Sequence, residues 1–131
     1  MSQKPEPIAV VGAGGIFPDA PTPDMFWENL VARRCSAKEV PAGRWAVPPE
    51  KVYDPVVGAA DKVYSKKACF IEGFHFDPAG LALDAQWAQA LDPAFHLALH
   101  AARQALNEAK LAAGDRARTG VVMGQLVLPT D

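Results

Sequence analysis

The chain has 131 residues, half of them hydrophobic, with 13 basic against 15 acidic side chains and a net charge of −2. This is one domain at most, of a size that buries roughly two-thirds of its unfolded surface, and the near balance of charge excludes a basic field for nucleic acid as well as an acidic tail. Residues 1–7 are polar and broken by proline, no apolar run suits a signal peptide or a membrane span, and the two cysteines lack metal spacing; a cytoplasmic protein with no membrane partner is expected.

Ile8–Val11 is four apolar residues in a row ending at Gly12, the pattern of a strand buried on both faces inside a sheet. Gly12-Ala13-Gly14-Gly15 invites comparison with a dinucleotide-binding turn, but that fingerprint needs a third glycine three positions after the second, at a helix start. Phe17 and Pro18 follow instead, so a plain glycine-rich turn is the better reading. Thr22 and Pro23 then open a helix as cap and first-turn residue, with Phe26, Trp27, Leu30 and Val31 as its apolar stripe. Arg33 and Arg34 suit its C-terminal dipole end better than an anion site. Residues 35–67 are punctuated by Pro41, Gly43, Pro48, Pro49, Pro55 and Gly58. That length without regular pattern implies a segment either disordered or draped over the body, and Trp45, Tyr53 and Tyr64 favour draping, as anchors rather than ligand-stacking groups.

Ala68–Phe74 has the look of a short strand, Asp77-Pro78 opens a turn of helix, and a second short helix spans about Asp84 to Leu91. The strongest periodicity comes next. Asp92 is a helix cap by type, Pro93 suits the first helical position, and Phe95, Leu99, Ala102, Leu106 and Ala109 recur at helical spacing, with Gly114 as the stop. Thr119–Gly124 is valine-rich and reads as an interior strand packed on that helix. Residues 126–131 end with neither a closing helix nor a polar tail, unlike a natural domain end.

In order and spacing these pieces resemble the N-terminal part of β-ketoacyl synthase (ketosynthase) domains of the polyketide or polyunsaturated fatty acid synthase type. The matching residues are Phe17-Pro18-Asp19-Ala20, Phe26-Trp27-Glu28-Asn29-Leu30, Pro41 with Arg44-Trp45, Phe70-Ile71 with Phe76-Asp77, Leu91-Asp92-Pro93, and Thr119 to Gly124. Asp61-Lys62, Tyr64 and Lys66-Lys67 look closest to the polyunsaturated fatty acid and related iterative synthases. The resemblance implies an α/β fold, the N-terminal portion of a thiolase-like domain with an incomplete sheet and flanking helices, over residues 1–131. It also implies the activity of the complete domain, a decarboxylative condensation of acyl and malonyl thioesters carried on acyl carrier protein. A cysteine nucleophile and two histidines do that work in the family, and all three are expected beyond Asp131.

The residues in hand are poor substitutes. Cys35 has Arg33, Arg34 and Lys38 nearby, which would lower a thiol pKa, but it follows a helix C-terminus, where the dipole disfavours a thiolate. Cys69, in an expected strand, reads as a small buried hydrophobe. His96 and His100 share a helix face at a spacing that can bind two positions of a metal, yet no third ligand is evident and His75 lies in a loop. The family commonly has arginine and glutamate where His96 and His100 stand, so this pair departs from its pattern. The expectation is therefore no catalytic, cofactor-binding or metal-binding residue within the chain, and a scaffold role. The partners implied are the remainder of the ketosynthase domain, acyl carrier protein through it, and self-association through an unfinished sheet. The rival reading is a self-standing interaction module.

Overall fold

Two prolines placed just after capping residues start the longest helices. The computed structural model describes residues 7–124. Helix α1, Pro23–Val31, begins at Thr22, whose hydroxyl accepts the Met25 N–H at 3.2 Å; α4, Pro93–Ala109, begins at Asp92, whose carboxylate accepts the Ala94 N–H at 2.8 Å. Each cap satisfies an amide that the first helical turn leaves without a partner. Between them lie β1 (Ala37–Glu39), α2 (Pro49–Val52), β2 (Lys67–Cys69) and α3 (Ala85–Gln89), and α5 (Ala113–Arg116) follows α4. No helix among the described residues is long and apolar enough to cross a membrane.

The chain divides into two compact units. One is Phe17–Phe74, which holds α1, α2 and an antiparallel ribbon of β1 and β2 with Ala37 opposite Cys69 and Glu39 opposite Lys67. The other joins Met1–Ile16 to His75–Asp131 and is built on α4. Its packed centre is small: Phe76 and Ala88 are buried, Ala88 completely.

Several expectations are corrected here. Ile8–Val11 and Thr119–Gly124 are not strands: Ile8, Val10 and Val122 are 95, 90 and 99% exposed. A run that is apolar on both faces gains strand structure only from neighbours that pair with it and layers that cover it, and neither is present among the described residues. The strand expected at Ala68–Phe74 is instead Lys67–Cys69, with Gly73 at φ +67° beyond it, and its partner β1 arises within residues 35–67. Asp77-Pro78 opens a turn rather than a helix, with the Asp77 carboxylate accepting the Ala79 N–H at 2.9 Å. Lys110, at φ +49°, ends α4 in the left-handed conformation four residues before Gly114. The short helix expected at about 84–91 is present as α3, capped by Asp84. Residues 126–131 lie outside the described residues.

Candidate functional site

The residues with chemistry converge on α4. His96, His100, Gln104 and Glu108 recur every four residues and make one polar stripe, while Ala101, Ala105 and Ala109 make a small-residue stripe beside it. The segment 12–15 lies in that groove. A Cβ on Gly12 would meet the backbone carbonyl of Ala105 and come within 2.9 Å of the Ala109 nitrogen; one on Gly14 would meet the Ala101 carbonyl and come within 2.7 Å of the Ala105 nitrogen. Closeness to the helix backbone is thus what these glycines provide. Two of the segment's amides are already used: Ala13 N–H donates to the Glu108 carboxylate at 2.6 Å and Gly15 N–H to the Gln104 carbonyl oxygen at 2.8 Å. With a carboxylate seated where a phosphate would approach, the arrangement favours the turn reading over phosphate binding.

The histidines serve the same packing. His96 stacks on Phe76, ring centroids 4.3 Å apart and 8° from parallel, and its Nε2 donates to the Ala88 carbonyl at 2.8 Å. The Gln104 amide nitrogen donates to His100 Nε2 at 3.0 Å, an assignment fixed by Gln104 using its oxygen for Gly15. The Nε2 atoms of both histidines therefore make hydrogen bonds, and no group of three metal-ligating side chains forms among the described residues. His75 is exposed. The polar stripe holds backbone in place; Gln104 and Glu108, which sequence reading passed over, carry it.

Cys35 and Cys69 are both exposed free thiols, and no hydrogen bond joins either to a histidine among the described residues. Cys69 was expected to be buried. A ribbon of two strands has no covering layer, so the side chain stays in solvent.

In the other unit, Phe17-Pro18-Asp19-Ala20 forms a tight turn closed by Phe17 N–H to Ala20 O at 2.8 Å and Ala20 N–H to Phe17 O at 3.0 Å. Asp19 takes φ +56°, Ala20 is buried, and Phe17 stacks on Phe26 of α1 at 4.4 Å. Of the aromatic anchors expected in residues 35–67, Trp45 and Tyr53 are half-buried, and Lys66 lies over the Tyr53 ring at 4.3 Å; Tyr64 is exposed. Arg33 and Arg34 stand just past the end of α1.

Lys38 joins the turn to the ribbon, with its ammonium 2.8 Å from the Asp19 carboxylate and 3.3 Å from that of Glu72. The hydrogen bond from Lys38, then that from Ser36, holds the Asp19 carboxyl below its ordinary pKa; the bonds to Asp19 and Glu72 raise that of Lys38. A depressed acid stabilises the fold above its unfolded pKa and loses that contribution as pH falls through the folded value; a raised base loses it as pH rises through the folded value. The cluster's contribution is thus level from about pH 5 to pH 9 and fades beyond either end. All three groups are exposed, so the effect on stability is small. Carboxyl NMR titration is expected to place Asp19 below the ordinary carboxylate range in the native chain and higher in Lys38→Met, where the hydrogen bond from Ser36 alone still lowers it. An unchanged titration would show that the ion pair does not persist in solution.

The family model for the β-ketoacyl synthase N-terminal domain matches residues 5–127. Polyketide synthase PksL of Bacillus subtilis is 34% identical over 121 residues, and polyketide synthase ThaG of Burkholderia thailandensis 39% over 120, covering 91 and 89% of this chain. The chain spans 2% of the length of each. The oxazolomycin ketosynthase domain OzmH KS7 of Streptomyces albus JA3453 superposes with a TM-score of 0.62 at 28% identity, over 83% of this chain and 19% of that one. The match spans the Phe17–Ala20 turn, both capped helices and the segment docked on α4, and it identifies the partial α/β fold as thiolase-like. The chain belongs to the β-ketoacyl synthase family, in its N-terminal domain.

Proposed function

We propose that this chain is the early scaffold of a polyketide-type ketosynthase, with its two units forming one partial domain over residues 1–131. In the complete domain, an acyltransferase of the cytoplasm, it would back a decarboxylative condensation of acyl and malonyl thioesters delivered on acyl carrier protein. The nucleophilic cysteine and the two assisting histidines come from outside these residues. The observation that carries the proposal is the family match over residues 5–127. The exposed Ile8–Val11 and Val121–Met123 then await strands from the remainder of the domain.

Carbon dioxide release from a malonyl-loaded carrier protein tests this. The chain alone is expected to release no more than a protein-free control. Co-production with a polypeptide carrying the rest of a related ketosynthase is expected to give a stable complex that does release it. Release by the chain alone that disappears in Cys35→Ser or Cys69→Ser would overturn the scaffold assignment.

A further inference from the structure

The two histidines of the α4 stripe use the same ring atom in opposite ways. His96 Nε2 donates to the Ala88 carbonyl at 2.8 Å, a bond that a neutral ring protonated at Nε2 and a charged imidazolium both make. His100 Nε2 accepts. The Gly15 N–H can only donate, so the Gln104 atom 2.8 Å from it is the amide oxygen, and the Gln104 nitrogen therefore donates to His100 Nε2, 3.0 Å away. In this arrangement His100 is the neutral ring with its proton on Nδ1.

A proton on His100 Nε2 would set two donors face to face. The Gln104 amide answers by turning over, because a hydrogen bond from a charged donor is the stronger kind and draws the oxygen to the ring. Its NH2 group then faces the Gly15 N–H, which loses its acceptor. The neighbouring charges do not reverse this order. The segment 12–15 carries no titratable side chain. Among the carboxylates of α4 and the turns before it, Glu108 receives the Ala13 N–H, Asp77 that of Ala79, Asp84 that of Trp87 and Asp92 that of Ala94. Arg103, three residues on, donates to the Asp77 and Ala79 carbonyls and sets a like charge beside a protonated His100.

We propose that segment 12–15 is held on α4 by a proton-gated latch: neutral His100 keeps the Gln104 oxygen on Gly15, and protonation of His100 releases it. Histidine is the side chain whose charge changes between about pH 5 and pH 8, and His100 is half-buried rather than sealed from solvent. The docked arrangement takes only the neutral ring, so docking is favoured at the upper end of that range and is lost as pH falls. What the latch controls is the run Ile8–Val11, which is exposed and leads directly into the docked segment. The latch depends on His100, Gln104 and Gly15, so its failure would leave the scaffold reading untouched.

Amide hydrogen exchange of the full chain, resolved at single residues and corrected for the intrinsic effect of pH, tests the proposal. Protection of the Gly15 amide is expected to fall about tenfold between about pH 7.5 and pH 5.5, the weight of one hydrogen bond. The Ala94 amide, on the Asp92 cap of the same helix, is expected to keep its protection and so separates release of the latch from a general loosening or association of the chain. His100→Gln supplies an acceptor that takes up no proton, and Gly15 protection in it is expected to stay high at both pH values. His100→Lys is a donor throughout, and Gly15 protection in it is expected to be low at both. Gly15 protection that does not change with pH, that falls equally in His100→Gln, or that falls together with that of Ala94 would overturn the latch.

Discussion

Gly14→Ala is expected to release the segment 12–15 from α4 and to lower hydrogen-exchange protection of the Gly15 amide roughly a hundredfold. One added carbon suffices because its neighbours are helix backbone: it would meet the Ala101 carbonyl and stand 2.7 Å from the Ala105 nitrogen, with Gln104 Cβ at 2.9 Å. Backbone in a hydrogen-bonded helix cannot step aside as a side-chain tip can. Overpacking of this kind costs about 1–3 kcal/mol, enough to offset the two hydrogen bonds, Ala13 to Glu108 and Gly15 to Gln104, of about 1 kcal/mol each, that hold the segment down. The upper end of that cost, about 3 kcal/mol, corresponds to the hundredfold change. Gly120→Ala is the control, since nothing lies within 4 Å of its added carbon. Equal protection in Gly14→Ala and the native chain would mean that the segment does not rest on α4 in solution.

Purified alone, the chain is expected to self-associate and to melt without a cooperative transition. Among the described residues no large side chain is fully buried. Ile8, Val10, Val121 and Val122 stand in extended chain whose amides and carbonyls make no hydrogen bond among the described residues, and α1 exposes Trp27, Leu30 and Val31. At about 25 cal/mol per Å2, several hundred Å2 of uncovered apolar surface forfeits on the order of 10 kcal/mol, comparable to the whole stability of a small domain. Sedimentation at high micromolar concentration should show oligomers or larger aggregates. Val10→Lys with Val122→Lys should reduce them, because charge on an open edge discourages pairing. A monomer with a cooperative melt would show that the chain closes its own core, and would favour the self-standing interaction module over the scaffold.

The same residues show which features a sequence specifies locally. Thr22 and Asp92 cap the amides of Met25 and Ala94, two or three residues away, so type and spacing were enough to place α1 and α4. The Phe17–Ala20 turn closes on itself in the same way. Taken with the order of the other motifs, these elements were also enough to reveal the ketosynthase resemblance. The valine-rich runs and the glycines were decided at longer range. Ile8–Val11 and Val121–Met123 have the composition of interior strands, but a ladder needs a neighbour, and composition does not supply one. Gly12 and Gly14 read as turn residues until their neighbours across the groove, Ala101, Ala105 and Ala109, are known. Those alanines were visible as a stripe at four-residue spacing, the one signal in the sequence that a backbone might dock there. Which backbone it is, and that Gln104 and Glu108 hold it, depends on contacts 89 and 95 residues apart. Local hydrogen bonds are written in adjacent residue types, whereas the pairing of distant segments is set by which surfaces meet when the chain folds, and only the tertiary structure decided that.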